Sequence, residues 1–109
     1  MTEEATFEAL QLTKTYDPDL EAYVWRNASG QLHRLHGAAI EYADGSKSWY
    51  VNGQRHRTDG PAIKWADGGK SWWVNGRQHR TDGPAIENAN GNKYWYVDGK
   101  LTKRLTIKL

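Results

Sequence analysis

Histidine has the widest chemical use of the side chains in this sequence, and its spacing is regular. His33, His56 and His79 follow one another at intervals of 23 residues, and His36 lies near the first of them. A column of imidazoles could bind zinc, which takes its nitrogen ligands at about 2.0–2.1 Å. If each histidine lies one β-hairpin from the next, two strand spacings separate them by about 9–10 Å. Histidines on neighbouring hairpins cannot then share one ion, so we predict no metal site.

The histidines also stand near aspartates, as His56 does to Asp59 and His79 to Asp82. A histidine that an aspartate orients can activate a serine nucleophile. No serine recurs in register with both residues, and the pair itself repeats, whereas an active site is a single constellation in one cleft. We therefore predict that these aspartates accept hydrogen bonds from arginine or backbone N–H groups and stabilise a bend.

Two further kinds of catalytic or cofactor site are excluded by what the sequence lacks. The chain has no cysteine, which removes disulfides, thiolate catalysis and cysteine-ligated zinc. Residues 68–71, Gly-Gly-Lys-Ser, look like the end of a phosphate-binding loop but lack its earlier glycine and its following helix. We predict a protein without catalytic residues and without a cofactor.

Basic and aromatic residues recur at fixed positions, and both types could anchor a partner. Aromatic and arginine side chains are typical anchors of protein interfaces, and basic residues interleaved with aromatic rings are typical of surfaces that bind single-stranded nucleic acid. Both interpretations stay open. The candidate partner-binding residues are Arg34, Arg57, Arg80, Lys47, Lys70, Lys93, Tyr50, Trp72, Trp73 and Tyr96.

The net charge of +2 combines two unlike segments. Residues 1–22 hold one lysine against six acidic residues, a charge of −5, and residues 23–109 hold fourteen basic against seven acidic residues, a charge of +7. A basic body attracts polyanions and acidic partners. The acidic segment could equally fold back and neutralise it.

The elements that carry these residues come from an internal repeat with a period of 23 residues. The units are 33–55, 56–78 and 79–101, and a terminal strand at 102–109 follows them. Asp-Gly or Asn-Gly recurs twice in each unit, and such pairs favour the positive φ of tight hairpin turns. These turn signals lie at 44–45, 67–68 and 90–91 and at 52–53, 75–76 and 98–99.

Between the turns lie short aromatic and β-branched runs, which predict strands at 46–51 and 62–66 and their equivalents. The chain is therefore predicted to be all-β, an antiparallel meander of stacked β-hairpins. Alternation places Trp49 and Val51 on one side, with Tyr50 opposite. We expect the constant tryptophan, valine and isoleucine columns to form the core, residues 1–22 to form a short N-terminal cap in a strand and turn, and free edge strands to permit homodimerisation.

The motif H-R-x-D-G-P-A, with W-Y-x-N-G before it, resembles MORN-like repeats of the variant common in tailed phages and giant viruses. The resemblance covers about residues 30–101. MORN repeats proper carry His-Gly after the Asn-Gly turn, where this chain has His-Arg. The resemblance implies a hairpin sheet that acts as a scaffold or protein-binding surface and has no catalytic residues.

We therefore expect a non-enzymatic, phage-encoded inhibitor that acts in the host cytoplasm. Its expected partner is a host defence complex, either a protein or a ribonucleoprotein. The alternative is a protein that binds a polyanion, either single-stranded nucleic acid or a nucleotide, through the basic and aromatic columns. No apolar run approaches 18 residues, so we expect no membrane span.

Overall fold

The structure is a computed structural model that describes residues 12–107. All of the regular secondary structure in this range is β, as the sequence predicts, and no helix is present there. The strands are β1 (Thr13–Asp17), β2 (Ala22–Arg26), β3 (Ile40–Tyr42), β4 (Lys47–Ser48), β5 (Tyr50–Val51), β6 (Gln54–Arg55), β7 (Ile63–Lys64), β8 (Lys70–Ser71), β9 (Trp73–Val74), β10 (Arg77–Gln78), β11 (Ile86–Glu87), β12 (Lys93–Val97) and β13 (Lys100–Leu105).

Nine of these strands form one antiparallel meander in the order β1-β2-β3-β4-β7-β8-β11-β12-β13. The order follows the chain and omits only two hairpins, β5–β6 and β9–β10, which form two-stranded sheets of their own. Ile40, Ser48, Ile63, Ser71 and Ile86 are successive cross-strand partners. They therefore lie in one row on one face of the large sheet, because directly paired residues share a face.

The two predicted sets of turns are both present but differ in geometry. At Asn52 and Gly53 both φ angles are positive, 49° and 82°, which is the conformation that two-residue type I′ hairpins require. In the other set only the glycine has a positive φ, as at Gly45 with 95°. There the Ser46 N–H donates a hydrogen bond to Oδ1 of Asp44 over 2.8 Å, so the aspartate stabilises the turn with its side chain.

The single strand predicted for residues 46–51 is wrong in detail, because the backbone leaves the large sheet at Trp49. Strand β4 ends at Ser48, and β5 begins at Tyr50 in a separate hairpin. Between them the Trp49 N–H donates to the carbonyl of Ala62 over 2.7 Å. The chain thus bends out of the nine-stranded sheet while its hydrogen bonds remain satisfied. In the last unit β12 continues through the equivalent position, with a shift of register between Trp95 and Tyr96.

Of the predicted core of tryptophan, valine and isoleucine columns, Ile40 is buried at 4%, and most of the other members are not. Trp49 and Val51 are half-buried, and Trp65 is 42% exposed. The most buried side chains are small and include Ser71 at 1%. Ala62 and Ala85 lie at the bends, where their carbonyls accept the N–H groups of Trp49 and Trp72. The buried residues are Ala22, Val24, Trp25, Ala38, Ala39, Ile40, Ala62, Ala85, Ser46, Ser48 and Ser71.

The two ends of the sheet are formed by ordinary strands. The acidic N-terminal segment is described from residue 12, where β1 pairs with β2 through a turn at 18–21. The Asp19 N–H donates to Oδ1 of Asp17 over 2.9 Å, which stabilises that turn. At the other end β13 begins at Lys100, earlier than the predicted strand at 102–109, and pairs with β12. Residues 1–11 and 108–109 lie outside the described range.

Candidate binding surfaces

The arginines of the H-R motif lie over tryptophan rings and do not extend into solvent. Each guanidinium packs on the indole of a tryptophan that precedes it in the chain, a geometry typical of cation–π pairs. The three arginine–tryptophan stacks have Cζ-to-centroid distances of 4.0 Å for Arg34 on Trp25, 4.0 Å for Arg57 on Trp49 and 3.8 Å for Arg80 on Trp72.

The Arg57 guanidinium is enclosed on its remaining sides by the bend that follows it. Its Nε donates to Oδ1 of Asp59 over 2.8 Å, and its Nη1 donates to the carbonyl of Pro61 over 3.1 Å. A Cβ added at Gly60 would lie 2.9 Å from the arginine Cζ. Hydrogen bonding and charge attraction from Arg57 hold the pKa of Asp59 below its usual range. Asp59 thus accepts a hydrogen bond from an arginine at the bend, as the sequence predicts.

Two of the three stacks also bind an acidic residue on the sheet below. Nη1 of Arg80 lies 2.9 Å from Oε2 of Glu87, and Nη1 of Arg34 lies 3.6 Å from Oε2 of Glu41. The equivalent position beside Arg57 is Lys64. The stack of Arg57 therefore lacks the glutamate carboxylate that the stacks of Arg34 and Arg80 have.

Lys64 is the centre of a row of three lysines, which we call the lysine row. It pairs with Lys47 of β4 on one side and with Lys70 of β8 on the other, so all three side chains share one face. All three are exposed, and within residues 12–107 none of them forms an ion pair. Glu41 and Glu87 flank the row at its two ends. The centre of this face therefore carries three adjacent positive charges, with a glutamate opposite each outer lysine and none opposite Lys64.

The histidine column stabilises turns. Nδ1 of His33 accepts the backbone N–H of Asn52 over 2.9 Å, and Nδ1 of His56 accepts that of Asn75 over 3.0 Å. His79 accepts the N–H of Asp98 in the same way, over 3.0 Å. Each imidazole thus joins the start of a bend to an adjacent hairpin turn. In residues 12–107 no three metal-binding side chains come together.

The tyrosine and tryptophan column lies on the opposite face of the sheet from the lysine row. Tyr50 packs against the buried cluster of Ala22, Val24 and Ile40. The indole Nε1 of Trp73 donates to Oγ of Ser71 over 2.7 Å. These rings are half-buried against the sheet.

The structure therefore separates the ten candidate residues into groups. Three lysines lie on one face: Lys47 and Lys70 belong to the lysine row, and Lys93 is half-buried beside Glu87. Trp72 and the three arginines occupy the same face, where each of them belongs to an arginine–tryptophan stack and Trp72 is stacked by Arg80. The remaining three, Tyr50, Trp73 and Tyr96, are half-buried residues of the hairpin strands β5, β9 and β12.

Two residues absent from the sequence-derived set are cations that form no ion pair in the described range, and both are exceptions to the repeat. Lys64 stands where the neighbouring units have Glu41 and Glu87, and Arg55 stands where the next unit has Gln78. The sequence signal for both residues is that each differs from the residue at the equivalent position of a neighbouring unit. A search for constant residues passes over such departures.

Comparison with protein-family models, with curated proteins and with solved structures found no match. Within residues 12–107 there is also no helix long and apolar enough to cross a membrane.

Proposed function

We propose that this chain is a non-enzymatic binding module of MORN-like β-hairpin repeats that docks through its lysine row on an acidic surface of a partner protein. The observation that carries the proposal is the direct pairing of Lys47, Lys64 and Lys70 across adjacent strands. Like charges directly opposite each other destabilise a sheet. An acidic partner surface would compensate that repulsion and would be attracted by it during association.

The arrangement of the aromatic rings favours a protein partner over single-stranded nucleic acid. Non-specific binding of single strands combines a basic groove with exposed rings on which bases stack. On the face of the lysine row, the indoles of Trp49 and Trp72 are covered by Arg57 and Arg80. The exposed rings on this face, Tyr16 and Tyr23, are separated from the lysines by Glu41, and Tyr50 and Trp73 lie on the other face. The basic and aromatic residues that support nucleic-acid binding in the sequence are thus not interleaved on one surface.

The variant that tests this proposal is Lys64→Glu, which places the residue of the neighbouring units at the centre of the row. The matched control is Lys100→Glu, an equal change of charge on the exposed strand β13. We expect wild type and Lys100→Glu to capture the same protein from a bacterial lysate and Lys64→Glu to lose it. Capture should survive nuclease and decline at about 1 M salt, where the Debye length is about 3 Å.

Two results would contradict the proposal. Identical protein capture by wild type and Lys64→Glu would exclude the lysine row as the docking surface. Loss of all captured material on nuclease treatment would favour the polyanion-binding alternative.

The likeness of the motif to repeats common in tailed phages supports a more specific proposal about the partner. In this proposal the chain is phage-encoded, acts in the host cytoplasm and inhibits a host defence complex. The support comes from the resemblance of the repeat alone. Mass spectrometry of the captured protein tests it, because a captured protein unrelated to host defence would contradict it.

A further inference from the structure

Arg55 of β6 has a guanidinium that contacts two aromatic rings and, among the described residues, no hydrogen-bond acceptor. Its Cζ lies 5.5 Å from the ring centroid of Tyr50 and 5.1 Å from that of Trp73, between the two side chains. Its Nε is buried and has no hydrogen-bond partner. Within residues 12–107 the side chain forms no ion pair or hydrogen bond with another residue. A buried donor without an acceptor is unfavourable and requires an explanation.

Arg55 lines a cavity of about 450 Å³ that lies mainly on the face opposite the lysine row, and Lys47 of that row also contributes to the lining. That volume is in the range of small-molecule sites, which are mostly apolar with a few convergent polar groups. Burial raises the pKa of Tyr42, and the positive charge of Arg55 opposes that rise while Asp44 adds to it. Other residues that line the cavity are Trp65, Trp73 and Gln78.

The repeat does not require an arginine at this position. Arg55 pairs with Tyr50 in the first small hairpin, and Gln78 occupies the same position opposite Trp73 in the second. In the last hairpin Leu101 pairs with Tyr96. A glutamine and a leucine therefore satisfy the same backbone position, so the charge of Arg55 has a role beyond that of the hairpin.

We propose that this cavity binds a small planar organic anion that also carries an N–H donor. A carboxylate or phosphate can accept two hydrogen bonds from one guanidinium. The flat body of the ligand would pack on the indoles of Trp65 and Trp73.

Asp44 would select for the donor of the ligand. One carboxylate oxygen already accepts the Ser46 N–H over 2.8 Å, and the other would accept the N–H donor. Because the charge of Asp44 disfavours a bare anion, inorganic phosphate would bind poorly. Of the lysine row only Lys47 lines this cavity, and Lys64 and Lys70 do not.

Calorimetric titration of the full chain tests the proposal with adenosine monophosphate and L-tryptophan, which carry both groups, and with adenosine and inorganic phosphate, which lack one of them. We expect adenosine monophosphate or L-tryptophan to bind at least about tenfold more tightly than either single-group probe, a difference of about 1.4 kcal/mol. Whichever of the two binds identifies the source of the anion, phosphate or carboxylate. Binding should also shift the Nε–Hε signal of Arg55 in a nitrogen-correlated NMR spectrum.

The variants Arg55→Gln and Asp44→Asn place the residues of other units, Gln78 and Asn90, at these positions, so both should fold. We expect each to weaken binding at least about tenfold, whereas Lys64→Glu should bind as wild type does. The proposal is overturned if neither adenosine monophosphate nor L-tryptophan binds, if phosphate alone binds as tightly, or if Arg55→Gln binds unchanged. Since Lys64→Glu affects only the lysine row, failure of this proposal and failure of the proposed function are distinguishable.

Discussion

At the scale of single residues, the H-R-x-D-G-P-A motif is explained by the contacts of one guanidinium. Arg57 packs on Trp49 and donates to Asp59 and to the carbonyl of Pro61. Gly60 is required there because a Cβ would lie 2.9 Å from the arginine Cζ. The residues of the motif therefore have a structural role, because together they hold one arginine against one tryptophan.

The coupling between Arg57 and Gly60 gives the first prediction. Arg57→Ala should lower the free energy of unfolding by about 1–3 kcal/mol, because it removes charge-assisted hydrogen bonds and a cation–π contact. Gly60→Ala should also destabilise, because the new Cβ displaces the guanidinium. In the double variant, Gly60→Ala should lower the free energy of unfolding by almost nothing further, because the guanidinium that the new Cβ would contact is absent. Urea unfolding measures all three variants, and strictly additive losses would contradict this account of the glycine.

The Asp59–Arg57 pair gives a prediction about pH. The pKa of Asp59 is lowered in the folded protein, so the pair stabilises the fold above the ordinary pKa of an aspartate. That stabilisation is lost as the pH falls through the lowered folded-state pKa. Asp59→Asn should therefore lower the Tm at neutral pH and reduce the loss of Tm between neutral and acid pH. Parallel curves of Tm against pH for the two proteins would contradict the prediction.

At the scale of elements, the turns and the strand order could be predicted from sequence, but the core could not. Asn52-Gly53 determines its turn locally, since both φ angles are positive there. The assignment of faces assumed a flat, continuous strand through 46–51. Because the Trp49 N–H instead bonds to the Ala62 carbonyl, the chain leaves the sheet at that residue. The burial of Ala62 at this bend depends on contacts between strands. The alternation of residues along a single strand does not predict such contacts.

The residues of the candidate sites could likewise be predicted only in part. Constant columns indicated which residues recur, and the arginine column proved to hold the bends together. Lys64 and Arg55 were missed because their importance depends on what surrounds them after folding. Lys64 becomes notable only when the register places it between Lys47 and Lys70.

That register predicts a gain in stability from Lys64→Glu. The substitution places a carboxylate between two lysines and within reach of Arg57, as Glu87 lies 2.9 Å from Arg80 in the next unit. Replacing like charges with opposite ones across a strand pair should raise the free energy of unfolding by about 0.2–1 kcal/mol. Urea unfolding at low salt is the measurement. A destabilised variant would show that the three lysines are not close enough to repel one another.

At the scale of the whole molecule, the sheet presents two chemically different faces along a body of 48 × 28 × 23 Å. The lysine row is central on one face, and the cavity at Arg55 lies mainly on the other. The edge strand β13 exposes Leu101 and Leu105. Pairing of this edge with a second copy stays a prediction, which light scattering over a range of concentrations tests. A constant monomer mass would contradict it.

The central claim is that the lysine row binds an acidic protein surface, and the most direct test is the affinity for poly-L-glutamate by fluorescence anisotropy. We expect Lys64→Glu to weaken binding by about tenfold, or about 1.4 kcal/mol, while Lys100→Glu stays close to wild type. An oligothymidine of similar length should bind more weakly than poly-L-glutamate, because Glu41 separates the exposed rings of Tyr16 and Tyr23 from the lysines. Equal losses in both variants, or tighter binding of the oligothymidine, would contradict the account.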